Sequence, residues 1–504
     1  MLPAALLLAA GIVISSWRAV PLWISVAGAA VGVATAALSL RSHRAVAVTA
    51  VGAALIFIGA ALTAVRMRAD AVADGRAVFR ISIADEPQLH QGARTSQCDA
   101  RIIMCRDSEG VWQRRHGRLR IHADTALHLA AGRQIVCRGR VRPFAGDGYD
   151  AMMRRKGYAG RLYIGAGDIL RIEGEGHPPT AVLLHRRAVA RVAQLPLQPE
   201  NMAVARAVGT GDASMLGRGQ RAGYSRAGTA HLLALSGLHV GIVYIIINIV
   251  LRLLPLFPYG HLIGNASAIL LLWLYVLSTG MSPSAVRAAV MFSIMQTSRA
   301  ISADYSPLNA AACAAFISLC FDPSLLFDAG FQLSYIAVAA IIICALPLCR
   351  RLHIDRRGLR NRFAKASAAA VNFIADTLAV GFVATAATAP LVSHLFGVIP
   401  LAGIAAGPAA VAAAAATVAL TAVWIALPSG IAAQAAPAFG RAIDLTAGAM
   451  NAISESIASR PWAALDIRLT GSETIICYAV AAVAALLLAT HRNNRRQSKK
   501  IRMK

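Results

Sequence analysis

The sequence predicts a polytopic α-helical membrane protein of about 10–11 spans, some broken or re-entrant, with a small OB-like β-barrel inserted outside the cytoplasm. Three observations carry this. The chain of 504 residues is 57% hydrophobic and 15% charged, with a mean hydropathy of +0.58, whereas soluble domains carry roughly 25% charged residues. Apolar runs at Val20–Leu40, Ala45–Val65, Leu262–Leu277, Gly330–Leu348 and Ala409–Leu427 approach the ~20 residues that cross a bilayer. One extended polar block, from Arg66 to Gly176, instead alternates apolar and polar residues with period two, the pattern of half-buried strands.

Residues 1–65 hold the first helices. Met1–Ser16 lacks the basic start of a signal peptide and is followed at once by further apolar runs, so it is expected to be a retained helix. Within the barrel domain, 66–176, strands are expected at Ala77–Ile83, Arg118–His122, Gln134–Val141, and Arg161–Ile164 with Asp168–Ile172; a helix is expected at Tyr149–Lys156. Glycine and aspartate turn signals separate these runs. Cys98, Cys105 and Cys137 fall in this block, and outside the cytoplasm two of them are candidates for a disulfide, the pairing left open. A basic amphipathic linker at the membrane surface, 177–230, leads to the membrane core, 231–490, and a basic cytoplasmic tail, 491–504.

Orientation follows from parity and basic loops. With the barrel outside, five spans after residue 231 return the chain to Arg350, Arg351, Arg356, Arg357, Arg360, Arg362 and Lys365, which the positive-inside rule places in the cytoplasm. Beyond Lys365 the count needs either a break over Gly397–Pro408, the favoured reading, or a further crossing at Ile431–Ile457. The net charge of +26 exceeds what anchoring requires and suggests an anionic partner, lipid headgroups or nucleic acid; ordinary cytoplasmic anchoring is the competing reading.

The core carries polar groups where lipid offers no hydrogen-bond partner. His231-to-Gly241 reads HLLALSGLHVG, and His231, Ser236, Gly237 and His239 are expected to face a wet interior; histidines satisfied in a helix kink are the alternative. Arg287 lies about one turn into a helix opened by Pro283, where an arginine costs ~2.5–3.5 kcal/mol to insert and calls for an anion, unless it snorkels to the interface. Asp212, Asn309 and Gln332 add polar groups beside helix starts, which suit phosphates or simple capping. No catalytic residue is expected, because Ser236 and His239 lack a nucleophile elbow and a nearby acid. His231 and His239 lack a third metal ligand, and the Walker phosphate loop is missing, so neither metal nor cofactor is expected.

HLLALSGLHVG at 231–241, preceded by AVGTGDAS at 207–214 and followed by SPSAVRAAVM at 282–291, SPLNAAACAAFISLCFDPSLLFDAGFQLSY at 306–335 and ATAPLVSHLFGVIPLAG at 387–403, resembles the ComEC-type competence proteins. LHLAAGRQIVCRGRVRPF at 127–144 and YDAMMRRKGYAGRLYI at 149–164 resemble that family's extracytoplasmic barrel. The resemblance implies an inner-membrane channel that threads single-stranded DNA into the cytoplasm during natural transformation. Separate DNA receptor, nuclease and cytoplasmic motor proteins are the implied partners, beside the lipid bilayer. It points to Asp212, His231, Ser236, Gly237, His239, Arg287, Asn309 and Gln332 as path residues. Two departures stand out: the metallo-β-lactamase-like domain of longer members has no counterpart here, so no nuclease activity is expected, and Ala405-Ala-Gly407 replaces an expected asparagine. The competing function is a transporter of a smaller anionic solute or lipid-linked precursor on the same scaffold. A third reading, an intramembrane hydrolase centred on Ser236, ranks below both.

Overall fold

The computed structural model describes the chain except residues 19, 40–42, 68–69, 71, 73, 89–94, 107–109, 125–126, 128, 147, 175–177, 253–259, 302–304, 356–360 and 482–504. Arg356, Arg357, Arg360 and the basic tail at 491–504 therefore lie outside the described residues. Among the described residues, six helices are long and apolar enough to cross a membrane, and three shorter apolar helices accompany them. The chain divides into two compact units, 1–222 with 230–332 and 410–452, and 223–229 with 333–409 and 453–504.

The first unit begins with α1 (Leu2–Trp17), α2 (Leu22–Ser39) and α3 (Arg44–Arg66). Water does not drive helices together in lipid, so close packing through small residues must do so. A Cβ added at Gly11 would lie 1.9 Å from the Ile56 carbonyl oxygen, and one at Gly59 would lie 2.3 Å from that of Leu8. Backbone therefore meets backbone across the α1–α3 interface.

The barrel follows: β1 (Gly75–Ile83), β2 (Thr95–Arg106), β3 (Trp112–Arg114), β4 (Arg118–Asp124), β5 (Gln134–Pro143), α4 (Tyr149–Arg155), β6 (Tyr158–Ile164) and β7 (Ile169–Ile172). Five strands close in the order β1–β2–β4–β6–β5–β1, with β4–β6 parallel and the other pairs antiparallel; β3 flanks β2 and β7 flanks β5. Alternation sends Phe79, Ile81, Leu119, Ile121 and Leu162 inward, all fully buried, each contributing ~1.5–3 kcal/mol. Sequence alternation named four of the five barrel strands and the helix. It missed β2, whose inward positions are the small Cys98 and Ala100, and whose period breaks at Ile103, where a bulge lies between the Met104↔Arg80 and Ile102↔Ile81 pairs.

No disulfide joins Cys98, Cys105 or Cys137 among the described residues. Cys105 and Cys137 both stand opposite Phe79, on the strands to either side of β1, about two strand spacings or ~9.6 Å apart, beyond disulfide reach. Burial, with Asp99 and Asp168 respectively, pushes the Cys98 and Cys137 thiols up to about 12. In single-cysteine variants, Cys105 is expected to react with a water-soluble maleimide at pH 8, while Cys98 and Cys137, with about 10⁻⁴ thiolate, stay unlabelled until unfolding. Rapid labelling of Cys98 in the folded protein would contradict this packing. Because these pKa values are raised on folding, the barrel should lose stability as the pH climbs from the unfolded-thiol range toward about 12.

The barrel is fastened to the helices that follow. Lys156 Nζ lies 2.5 Å from Asp328 Oδ2, the Arg155 guanidinium stands 5.3 Å from the Phe327 ring, and Arg66 Nη1 donates to the Phe321 carbonyl at 2.8 Å. Burial alone would raise the Asp328 carboxyl, but Lys156 and the Phe331 and Gly330 N–H groups hold it below the usual carboxylate range. Lys156→Glu is expected to lower the melting temperature and cost about 1 kcal/mol, and Asp328→Asn, which keeps an oxygen to cap α13, should remove most of that extra cost in the double variant. Additive destabilisation in that double variant would show that the two charges do not interact.

Helices α5 (Thr180–Val192), α6 (Pro199–Thr210) and α7 (Arg218–Arg226) lead to α8 (Ala230–Leu233), α9 (Gly237–Val250), α10 (Gly260–Ser278), α11 (Pro283–Ala300) and α12 (Pro307–Phe321). A 3₁₀ turn at Pro323–Phe327 then opens α13 (Ala329–Leu352). The second unit takes up most of α13, then α14 (Arg362–Phe396) and the start of α15 (Ala402–Ala426). The break expected across Gly397–Pro408 is confined to 397–401, where Ile399–Pro400 pairs with Ala464–Leu465; Pro408 sits within α15. The alternative at Ile431–Ile457 is helical, as α16 (Ser429–Ala458), but it is not among the helices apolar enough to span.

Candidate functional site

The polar stretch at 231–241 is a true helix break. α8 stops at Leu233, and Ser236, extended at φ −116° and ψ 169°, is the N-cap of α9. His239 Nδ1 accepts the Ser236 backbone N–H at 3.1 Å and lies 2.7 Å from Ser236 Oγ. With that nitrogen committed as acceptor, the neutral ring carries its proton on Nε2. This Nε2 is buried and makes no hydrogen bond of normal geometry; the Leu232 carbonyl and His231 are close enough to act on the ring electrostatically. His239 is fully buried, Ser236 is half-buried, and His231 and Gly237 are exposed.

Arg287 is 4% exposed, one turn into α11. Its Nη2 donates to the Gly330 carbonyl at 3.2 Å, and its guanidinium lies 5.5 Å from the Phe331 ring. It is therefore folded inward against the start of α13 and does not snorkel outward. Gln332 closes the same corner by donating to the Leu326 carbonyl at 2.9 Å. Asp212 is engaged by Arg206 and accepts the Ser214 N–H at 3.0 Å. Burial would raise its carboxyl, but the Ser214 and Arg206 bonds hold it below the usual range.

Close packing gathers these residues at one end of the helices. A Cβ on Gly237 would lie 3.7 Å from Ala288 Cβ, beside Arg287, and one on Gly211 would lie 2.4 Å from Leu235 and 3.1 Å from the Thr279 carbonyl. The loop bearing Asp212, the break at Ser236 and the start of α11 thus share one corner, with Gln332 next to it. Asn309 does not join them. It is exposed in the first turn of α12, whose other end, Phe321, receives Arg66.

A second polar group escaped the sequence reading. Gln296, 4% exposed, donates to Asn265 Oδ1 at 2.6 Å and Asn248 Oδ1 at 3.4 Å, and accepts from the Tyr244 hydroxyl, which in turn receives Arg299 at 3.1 Å. It lies nine residues along α11 from Arg287, about 13 Å. Single amides within apolar helices were the available signal, since such groups hydrogen-bond between helices in a membrane.

The barrel aromatics separate into two sets. Phe79, Phe144 and Tyr158 are buried, whereas Trp112, Tyr149 and Tyr163 are exposed. Tyr163 stacks on His122 at 5.0 Å between centroids, and Arg142 lies 5.7 Å from its ring. Arg120 is bound by Asp99 at 2.9 Å and Arg161 by Asp150 at 2.6 Å.

A family model described as "Competence protein" matches residues 209–492, a segment that contains all eight core positions above. The chain is 33% identical over 165 residues to the "ComE operon protein 3" of Bacillus subtilis (strain 168), covering 32% of this chain and 20% of that relative. The matched segment therefore spans about a fifth of the relative's length. No solved structure matches.

Proposed function

The chain belongs to the Competence protein family, and from that premise we propose that it conducts single-stranded DNA across the inner membrane into the cytoplasm during natural transformation. The observation that carries this reading is the corner where buried Arg287 and His239 meet a broken helix inside an apolar bundle. Irregular backbone and a buried cation at membrane depth are tolerated where they line a protein-enclosed, wet route. Arginine suits a phosphodiester because its planar fork matches phosphate oxygens. In this reading the barrel faces outward to receive DNA, the C-terminus is cytoplasmic, and the residues from Asp212 to Gln332 lie on the path, with Asn309 toward its far end. A DNA receptor, a nuclease and a cytoplasmic motor act as separate partners.

The test is disruption of the gene in a transformable host, scored for uptake of marked DNA and complemented in trans. Loss of transformants restored by the wild-type gene is the expected result. Undiminished uptake in the disrupted strain, with defective transport of a small anionic solute, would overturn it.

A further inference from the structure

We propose that Gln296 is a positioning residue: with Asn248 and Asn265 it locks α9, α10 and α11 in one register, and that register keeps Arg287 beside the helix break at Ser236. The lock rests on the packing of these three helices alone. The value of placing Arg287 there rests on the function proposed above.

α9 and α11 run parallel and meet at matched positions. Gly237 faces Ala288, and one turn further along Gly241 faces Phe292, whose ring would lie 3.3 Å from a Cβ added there. One turn further again, Tyr244 stacks on Phe292 at 4.7 Å between centroids and donates its hydroxyl to Gln296. Apart from the two aromatic rings, these facing residues are small. Small residues let helices approach closely, but they present little that resists a slide of one turn, about 5.4 Å.

The polar contacts supply that resistance. Each of the three helices carries one carboxamide, Asn248 on α9, Asn265 on α10 and Gln296 on α11, and the three meet. Gln296 Nε2 donates to Asn265 Oδ1 at 2.6 Å and to Asn248 Oδ1 at 3.4 Å, while its Oε1 accepts the Tyr244 hydroxyl. Both amide hydrogens and the oxygen of this buried side chain are thus engaged. Asn248 Nδ2 donates to the Tyr244 carbonyl at 2.8 Å, which fixes the sense of that amide. A slide of α11 past its neighbours would leave the Gln296 amide among apolar side chains, and neither α9 nor α10 holds a second carboxamide to replace the first. Interhelical hydrogen bonds in membrane bundles each add little to stability; selecting one register is the role that single buried amides fill in paired helices. Gln296 stands nine residues from Arg287 on the same helix, so the register it sets carries along α11 to the corner.

The experiment uses the full-length protein in its membrane, with the eight native cysteines replaced by alanine and with Gly237→Cys and Ala288→Cys introduced. Their Cβ separation of 3.7 Å lies within disulfide range, and a slide of one turn takes it outside. Mild oxidation is expected to join the pair. Gln296→Met keeps the length of the side chain and removes its hydrogen bonds; it is expected to slow the cross-link about tenfold and to open a new one between Gly241→Cys and Ala288→Cys. The exchange variant Asn265→Gln with Gln296→Asn, which moves one methylene across the pair, should restore the parental rate. With the native cysteines in place, Gln296→Met is expected to lower the maximal rate of DNA uptake about tenfold, at unchanged abundance and unchanged half-saturating DNA concentration, and the exchange variant should recover it. If Gln296→Met fails to insert, Gln296→Asn alone takes its place. Parental cross-linking in Gln296→Met would overturn the lock. Slowed cross-linking with undiminished uptake would overturn its bearing on Arg287. The cross-linking involves no DNA, so a failure of the conduit reading is told apart from a failure of the lock.

Discussion

Arg287→Ala is expected to lower DNA uptake about a hundredfold while membrane abundance and melting temperature stay near wild type. An arginine held at depth carries an insertion cost of ~2.5–3.5 kcal/mol, and that energy scale corresponds to about two orders of magnitude in occupancy by a compensating phosphate. The structure keeps the guanidinium inside the bundle, against the Gly330 carbonyl and the Phe331 ring. Alanine removes the charge and leaves both helices capped, α11 by Ser282 and α13 through Asp328. Arg287→Lys should recover uptake only in part, since an ammonium cannot present the same fork. Wild-type uptake with Arg287→Ala would show that this arginine has no role in transport; a collapse of abundance would assign it to folding.

Gly11→Val is expected to have the largest effect on stability. Its first side-chain atom would fall 1.9 Å from the Ile56 carbonyl oxygen, a separation that backbone has to relieve because no flexible side-chain end is present to move. Overpacking ordinarily costs about 1–3 kcal/mol and more when backbone must shift, so α1 and α3 should part. The readouts are steady-state abundance in the membrane and the melting temperature in detergent. Gly52→Val serves as the comparison, since its added Cβ meets only the end of the Leu7 side chain, at 3.3 Å. Equal behaviour of the two variants would refute backbone-to-backbone contact as the basis of α1–α3 packing.

Much of the fold was legible because two periodicities and one length scale govern it. Apolar runs near the bilayer thickness marked most of the long helices, and alternation marked β1, β4, β5 and β6. It failed at β2, where small inward residues and a bulge erase the pattern. The break at Ser236 and the depth of Arg287 were also legible, because glycine, proline and charge within apolar sequence have few structural outlets. The Gln296 network was not, since its members come from three helices that only packing brings together. The row that sets Arg120 beside Arg161 and Arg161 beside Arg142 escaped for the same reason: spacing along one strand is visible in sequence, while register between strands is set by the closed barrel.

Asp328 takes part in two structures at once. One carboxylate oxygen holds Lys156 of the barrel, and the other accepts the Phe331 N–H that starts α13, next to the carbonyl gripping Arg287. A load applied to the barrel is therefore transmitted to the intramembrane arginine through one carboxyl group and a single helical turn. If the barrel receives DNA as proposed, tension on a captured strand would reach Arg287 along this short chain of contacts.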